Sequence, residues 1–391
     1  MAALLLARSG VKVVVLEKHK DFLRDFRGDT IHPSTLELMH ELGWLSEFLE
    51  LPHQKVPQLA MQFGEARYQV VDFSHLSVKA PYIAMMPQWD FLNFLDNKAQ
   101  AYSGYQLLQS TEALELLEKD GVVVGVKAMG PLGEVIVKAP LTLAADGRDS
   151  TLRQQSGLKV QDFGAPMDVL WFRLSRQVGD GDETFGRLEP GQILIMLNRG
   201  DYWQCAFVIP KGADADLRHL GLATFKQRLS PLLPFSVERL KEIENFDSVK
   251  TLQVQVNRME RWWKPGFLCI GDAAHAMSPV GGVGVNLAVQ DAVAAAKELA
   301  MPLRDGVVST EVLAAIEKRR AFPAKVTQKM QILVQNNLIK QALSSKAAVK
   351  PPLMVRLFDK IPLLRRIPAR IIGLGIRPEH ISEALIKGRD D

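Results

Sequence analysis

A Gly-Asp pair, a proline and three further glycines fall in order within one run, "GFLCIGDAAHAMSPVGGVGVNLAVQDA", residues 266–292. An apolar strand running to Ile270 delivers Gly271 and Asp272 at its carboxyl end, where open α/β sheets bind ligands. A carboxylate accepts hydrogen bonds and cannot donate them, which suits Asp272 to holding sugar-type hydroxyls. Pro279 stiffens the loop that follows, and Gly281, Gly282 and Gly284 let the backbone approach a flat ring closely. Asn286 opens a helix whose N-terminal amides stabilise negative charge. A glycine-rich loop with no ligand is the bland alternative, and the ordered set after a buried strand argues against it.

Two further runs carry similar chemistry. In "AADGRDSTLRQQSG", residues 144–157, a strand ends at Asp146, Gly147 allows a tight turn, and Ser150 caps a helix carrying Arg153. Asp-Gly after a strand is commonly a plain turn; the full spacing Asp-Gly-x-x-Ser-x-x-Arg is more specific. In "VKVVVLE", residues 11–17, a β-branched run of the kind buried on both faces ends at Glu17. An acidic residue closing the second strand of a dinucleotide unit accepts hydrogen bonds from ribose hydroxyls, and Glu17 stands in that place. A solvated strand-end carboxylate is the alternative.

These residues need elements to position them. "MAALLLARSG" reads as a helix over 2–9 stopped at Gly10, not a secretory signal, because Arg8 follows the apolar stretch rather than preceding it. With the 11–16 strand it forms the second half of a βαβ unit, and the expectation is that the first strand and its Gly-x-Gly-x-x-Gly loop lie before Met1. A helix is expected over 34–49 with Ser34 as its cap, strands over 58–73, a helix over 89–102 and a β-meander over 107–144. Alternating strands over 160–260 predict a separate antiparallel sheet. Helices are expected over 286–301 and 308–345, and from 350 the tail mixes proline, arginine and apolar residues.

Composition narrows the class. The 391 residues are 47% hydrophobic and 24% charged with a net charge of +4, ordinary for a globular chain of two domains. No arginine block or aromatic-interleaved basic stripe points to nucleic acid. Cys205 and Cys269 sit in apolar runs and make no disulfide framework, so a reduced, cytoplasmic setting is expected. No run reaches the length of an integral membrane span, and no metal site is suggested.

Taken together, the runs resemble those of the para-hydroxybenzoate hydroxylase-like family of FAD-dependent monooxygenases. The resemblance covers residues 1–345 and implies an α/β fold. It comprises a Rossmann-like FAD-binding domain with its first strand absent, an interleaved antiparallel-sheet substrate domain and a helical C-terminus. The corresponding segments are 1–57, 81–159 and 262–330 for FAD, 58–80 and 160–261 for substrate, and 331–391 for the tail. It implies that Gly271 and Asp272 hold the flavin ribityl chain. Pro279, Gly281, Gly282, Gly284, Val285 and Asn286 would lie against the flavin ring, and Asp146, Gly147 and Arg153 serve FAD and NAD(P)H. Arg27, in "FRGDTIHPSTLELM", matches an arginine at the FAD phosphate and ribose. Gln88, in "MPQWDFLNFL", matches a cofactor-contacting position before a helix. A solvent-facing arginine and a simple helix cap are the bland readings of these two.

The implied activity is hydroxylation of an aromatic or related electron-rich small molecule. NAD(P)H would be the electron donor, O2 the oxygen source and a flavin C4a-hydroperoxide the route. A reductase or dehydrogenase on the same fold and a truncated remnant are the alternatives; a halogenase is disfavoured by the lack of a "WxWxIP" segment. Trp171, Phe172, Met196, Tyr202, Trp203 and Phe207 are candidates to line the substrate pocket, with about half expected to face elsewhere because strand residues alternate. His275 reads as a supporting residue, and no general base is evident.

Overall fold

The computed structural model describes residues 1–23, 30–383 and 385. Helix Ala2–Arg8 buries Leu4, Leu5 and Leu6 and leads into strand Val13–Leu16, which pairs in parallel with Tyr105–Leu108. Strand Thr142–Ala144 pairs in parallel with Phe267–Cys269, which is antiparallel to Trp263–Lys264. Among the described residues no strand joins these two groups. Val13 to Leu16 of one and Thr142 to Ala144 of the other line the same cavity.

The helix expected over 34–49 is two, Pro33–Glu41 and Leu45–Phe48. Gly43 turns the chain between them at φ +79°. The cap also moves: His32 precedes the first turn, with Pro33 at the first helical position, where a missing N–H costs nothing. Ser34 therefore lies inside the helix.

A seven-stranded sheet carries the other half of the molecule. Its order is Lys250–Leu252, Met167–Ser175, Tyr202–Pro210, Gln192–Asn198, Phe185–Glu189, Gln58–Phe63 and Ala66–Asp72. Neighbours are antiparallel except Phe185–Glu189 beside Gln58–Phe63, a parallel pair joining segments far apart in sequence. Alternation divides the faces. Leu170, Phe172, Leu174, Met196, Trp203 and Phe207 pack beneath helices Asp214–His219 and Leu222–Leu229. Met167, Val169, Ile193, Ala206 and Val208 face the other way, towards Ala342 and Val355. The two helices interrupt a stretch that alternation alone reads as strand.

Helix Gly284–Arg304 is buried along most of its length. Helix Thr310–Val334 continues through a π-helical turn, Gln335–Ile339, into Lys340–Ser344. The tail folds into helices Leu353–Lys360 and Arg366–Gly373, which pack on strand Ala66–Asp72; there the Gln69 N–H donates to Asp359 at 2.9 Å. Among the described residues no helix is long and apolar enough to cross a membrane, and no group of side chains could hold a metal ion.

Candidate functional site

One continuous cavity of about 2850 Å³ extends from the Val13–Leu16 strand past the 146–149 and 271–285 turns to the face of the seven-stranded sheet. Small-molecule pockets hold roughly 300–1,000 Å³, so this space accommodates a large ligand together with a second one. Glu17, Gln88, Asp146, Gly147, Gly271, Asp272, Pro279, Gly281, Gly282, Gly284 and Val285 all lie on its wall. Arg153 and Asn286 do not, and Arg27 lies outside the described residues.

The Gly271–Asp272 turn is built from behind. Gly271 has φ +60°, and a Cβ there would come within 3.0 Å of the Ala288 Cβ. Its N–H donates to Asp291 at 3.0 Å. Asp291 also accepts from Arg320 at 2.8 Å and meets the His275 ring at 2.5 Å. Burial pushes the Asp291 carboxyl up, but His275 and Arg320 outweigh it and hold the group below the usual carboxylate range. His275, 1% exposed and tilted 46° against the Trp262 ring at 4.9 Å, thus supports the turn and does not reach the cavity. With its main chain held, Asp272 presents a half-buried carboxylate to the wall, 3.3 Å from Arg148. Arg148 sits inside the Asp-Gly run, but the Asp-Gly-x-x-Ser-x-x-Arg spacing does not single it out.

Ser150 does cap its helix, accepting from the Arg153 N–H at 3.0 Å. The Arg153 guanidinium turns away from the cavity, donating to the Ala273 carbonyl at 3.0 Å and the Arg148 carbonyl at 2.5 Å. It ties the Asp-Gly turn to the Gly-Asp turn.

Helix Gly284–Arg304 begins two residues before Asn286 and has no capping side chain. The first-turn amides of such a helix are therefore left for other partners. Its start is fixed against the 30–35 segment. Gly282 has φ +63°, and a Cβ there would lie 2.6 Å from the Thr30 hydroxyl, which donates to the Gly282 carbonyl at 2.9 Å. Asn286 accepts from the His32 N–H at 2.8 Å and the Thr35 hydroxyl at 2.7 Å, and donates to the Thr30 carbonyl at 3.0 Å. The His32 ring donates through Nδ1 to the Ile372 carbonyl at 2.8 Å. Burial lowers its pKa to about 4, with the Ile372 hydrogen bond opposing.

Towards the sheet the cavity becomes an apolar chamber. Of the six aromatic and methionine residues proposed from sequence, Trp171 reaches it; Phe172, Met196, Trp203 and Phe207 belong to the core on the opposite face. Tyr202 lies off the cavity wall, with the Arg173 guanidinium over its ring at 4.8 Å. Met167, Val169, Ile193, Ile195 and Val208 complete the sheet side, and Leu338, Ile339, Met354 and Phe358 come from the C-terminal helices. Leu338 and Ile339 lie in the helical stretch expected over 308–345, whereas the tail's prolines and arginines mask the helix that carries Met354 and Phe358. Among the described residues the wall carries one histidine, His19, beside Glu17 and remote from the chamber in sequence and sheet.

The family described as FAD binding domain matches residues 1–330 of the chain. The chain is 28% identical over 375 residues to 6-methylpretetramide 4-monooxygenase of Streptomyces rimosus, covering 94% of this chain and 88% of that protein. It is 23% identical over 332 residues to para-nitrophenol 4-monooxygenase of a Pseudomonas species, covering 82% of this chain and 80% of that one. The crystal structure of p-nitrophenol 4-monooxygenase from Pseudomonas putida has the same fold, with a TM-score of 0.78 at 20% identity, covering 100% of this chain and 95% of that one.

Proposed function

The chain belongs to the FAD binding domain family, is an FAD-dependent oxidoreductase of the monooxygenase kind, and, we propose, hydroxylates an apolar aromatic small molecule with NAD(P)H and O2. The observation that carries this reading is a juxtaposition. A half-buried carboxylate, Asp272, stands beside the uncapped start of a 21-residue helix on the wall of a cavity that continues into an apolar chamber.

The residues present fit FAD. Asp272 accepts hydrogen bonds from the ribityl chain, and Glu17 from ribose hydroxyls. The backbone of 279–285, bare of side chains at three glycines, offers a surface to a flat ring. The amides at Gly284 and Val285 stabilise negative charge on that ring. Asp146, Gly147 and Gln88 complete the wall, and Arg27 serves the phosphates. Arg153 and Asn286 position these groups without touching the cofactor. When bound, FAD supplies transfer of reducing equivalents from NAD(P)H and activation of O2 for insertion of one oxygen atom, the other leaving as water. Trp171, Ile193, Ile195, Val208 and Leu338 hold the substrate ring and exclude water from it. Residues 58–80 and 160–261 serve as the substrate unit, the discontinuous segments 1–57, 81–159 and 262–330 as the cofactor unit, and 331–391 as a C-terminal helical segment whose Leu338, Ile339, Met354 and Phe358 line the chamber.

The test is a flavin absorption spectrum of the purified protein, followed by product analysis with isotopically labelled O2. Labelled oxygen in a hydroxylated aromatic product is expected. NAD(P)H oxidation with a reduced product and no incorporated oxygen would make the protein a reductase.

A further inference from the structure

The two tail helices have unlike faces. Val355 and Phe358 of Leu353–Lys360, and Ala369 and Ile372 of Arg366–Gly373, face the sheet or the cavity. Leu353, Ile361, Leu363 and Ile367 are exposed and off the cavity wall, Leu353 at 71% and Leu363 at 62%. Between Lys346 and Arg377 the sequence holds eight basic residues and one acidic residue, a net +7 where the whole chain carries +4. The single acid, Asp359, accepts from the Gln69 N–H on the sheet side. The outer surface therefore combines aliphatic tips with positive charge from Lys346, Arg356, Lys360, Arg366 and Arg370, all exposed and off the cavity wall.

We infer that this surface docks the protein on an anionic phospholipid bilayer. Short amphipathic helices with basic flanks lie in the headgroup layer by burying aliphatic tips and attracting acidic lipids. The charge selects this occupant over a second copy, because like faces would set two groups of five exposed cations against each other. The surface also lacks the tryptophan and tyrosine that, with arginine, are enriched in protein-binding hot spots; between 346 and 377 there is neither aromatic. The placement has a consequence for the chamber. Met354, Val355, Phe358, Pro368 and Ile372 of the same two helices line the cavity, so an apolar substrate dissolved in the bilayer enters beside the docked surface.

Vesicle co-sedimentation of the holoprotein tests this without reading turnover, so its outcome is independent of the oxygenation chemistry. Vesicles of phosphatidylcholine with phosphatidylserine should bind the protein, and vesicles of phosphatidylcholine alone should bind it at least about tenfold less, with the difference shrinking as salt rises. The double variant Arg356→Glu/Lys360→Glu should lose most of the binding to acidic vesicles. Leu363→Asp should weaken it at low salt as well. Circular dichroism and retained flavin check that the variants fold. Equal binding to both vesicle types, or unchanged binding by the variants, overturns the inference. So does a variant that shifts only the oligomeric state in gel filtration, which would make the face a protein interface.

Discussion

Arg148 and Asp272 meet at the seam between the Asp-Gly and Gly-Asp turns, with 3.3 Å between the guanidinium Nη2 and the carboxylate Oδ2. Both side chains are about one-quarter exposed, at 25% and 28%, so the pair itself contributes only about 0–1 kcal/mol. Its use is orientation: the arginine occupies one oxygen, while the other lies towards Gly284, at the start of the uncapped helix.

The two residues should therefore differ sharply when removed. Hydrogen bonds to a charged group are worth about 1.5–3 kcal/mol, so Asp272→Ala should weaken FAD binding by about one to two decades while leaving the fold intact. Arg148→Ala should cost less than about fivefold. Flavin fluorescence titration of the two variants and the double variant measures both effects and their coupling. Normal flavin affinity in Asp272→Ala would remove the role assigned to it.

Asn286 distinguishes contact from support. Its amide satisfies the His32 N–H, the Thr35 hydroxyl and the Thr30 carbonyl, and each buried polar group left without a partner costs about 1–3 kcal/mol. Asn286→Ala should lower the stability of the flavin-free protein by at least about 3 kcal/mol, seen as a lower denaturant midpoint. A variant of unchanged stability that binds FAD poorly would instead place Asn286 on the cofactor.

What the sequence revealed and what it hid follow from range. Asp272 and the glycines were legible because a buried strand, a carboxylate and a glycine loop are adjacent in the chain, and their chemistry is local. Asn286 looked equally like a ligand contact, but its partner His32 lies 254 residues away, and no periodicity reports such a pairing. Arg153 likewise carries a recognisable spacing, yet its direction is set by the carbonyl of Ala273, 120 residues on. Strand alternation marks two faces but not which one meets the cavity; Phe172 and Trp171 are neighbours with opposite surroundings.

That alternation gives a paired test. Phe172 is fully buried beneath the Leu222–Leu229 helix, so Phe172→Ala should destabilise the protein by about 3–5 kcal/mol with little change in KM. Trp171 faces the chamber, so Trp171→Ala should raise KM by about tenfold, the effect of losing roughly 1–3 kcal/mol of apolar contact, at a smaller loss of stability. Thermal melts and steady-state kinetics of the two variants decide. Matching effects in both would mean that the chamber is not where substrate binds.

His32 predicts a pH dependence of known sign. Burial holds its folded-state pKa at about 4 against an ordinary 6.5, with the Ile372 carbonyl partly opposing. Between these values the unfolded chain takes up a proton that the folded protein refuses. Stability from this residue is therefore complete above about pH 6.5 and declines as the pH falls towards 4. The difference corresponds to about 3 kcal/mol. His32→Asn keeps a side-chain donor for Ile372 and removes the titration. Stability of wild type relative to this variant, measured by urea unfolding from pH 7 to pH 4, should fall by up to that amount as the solution is acidified. Parallel curves for the two proteins across the window would show that His32 takes up its proton in the fold as readily as in the unfolded chain, so that its burial carries no such penalty.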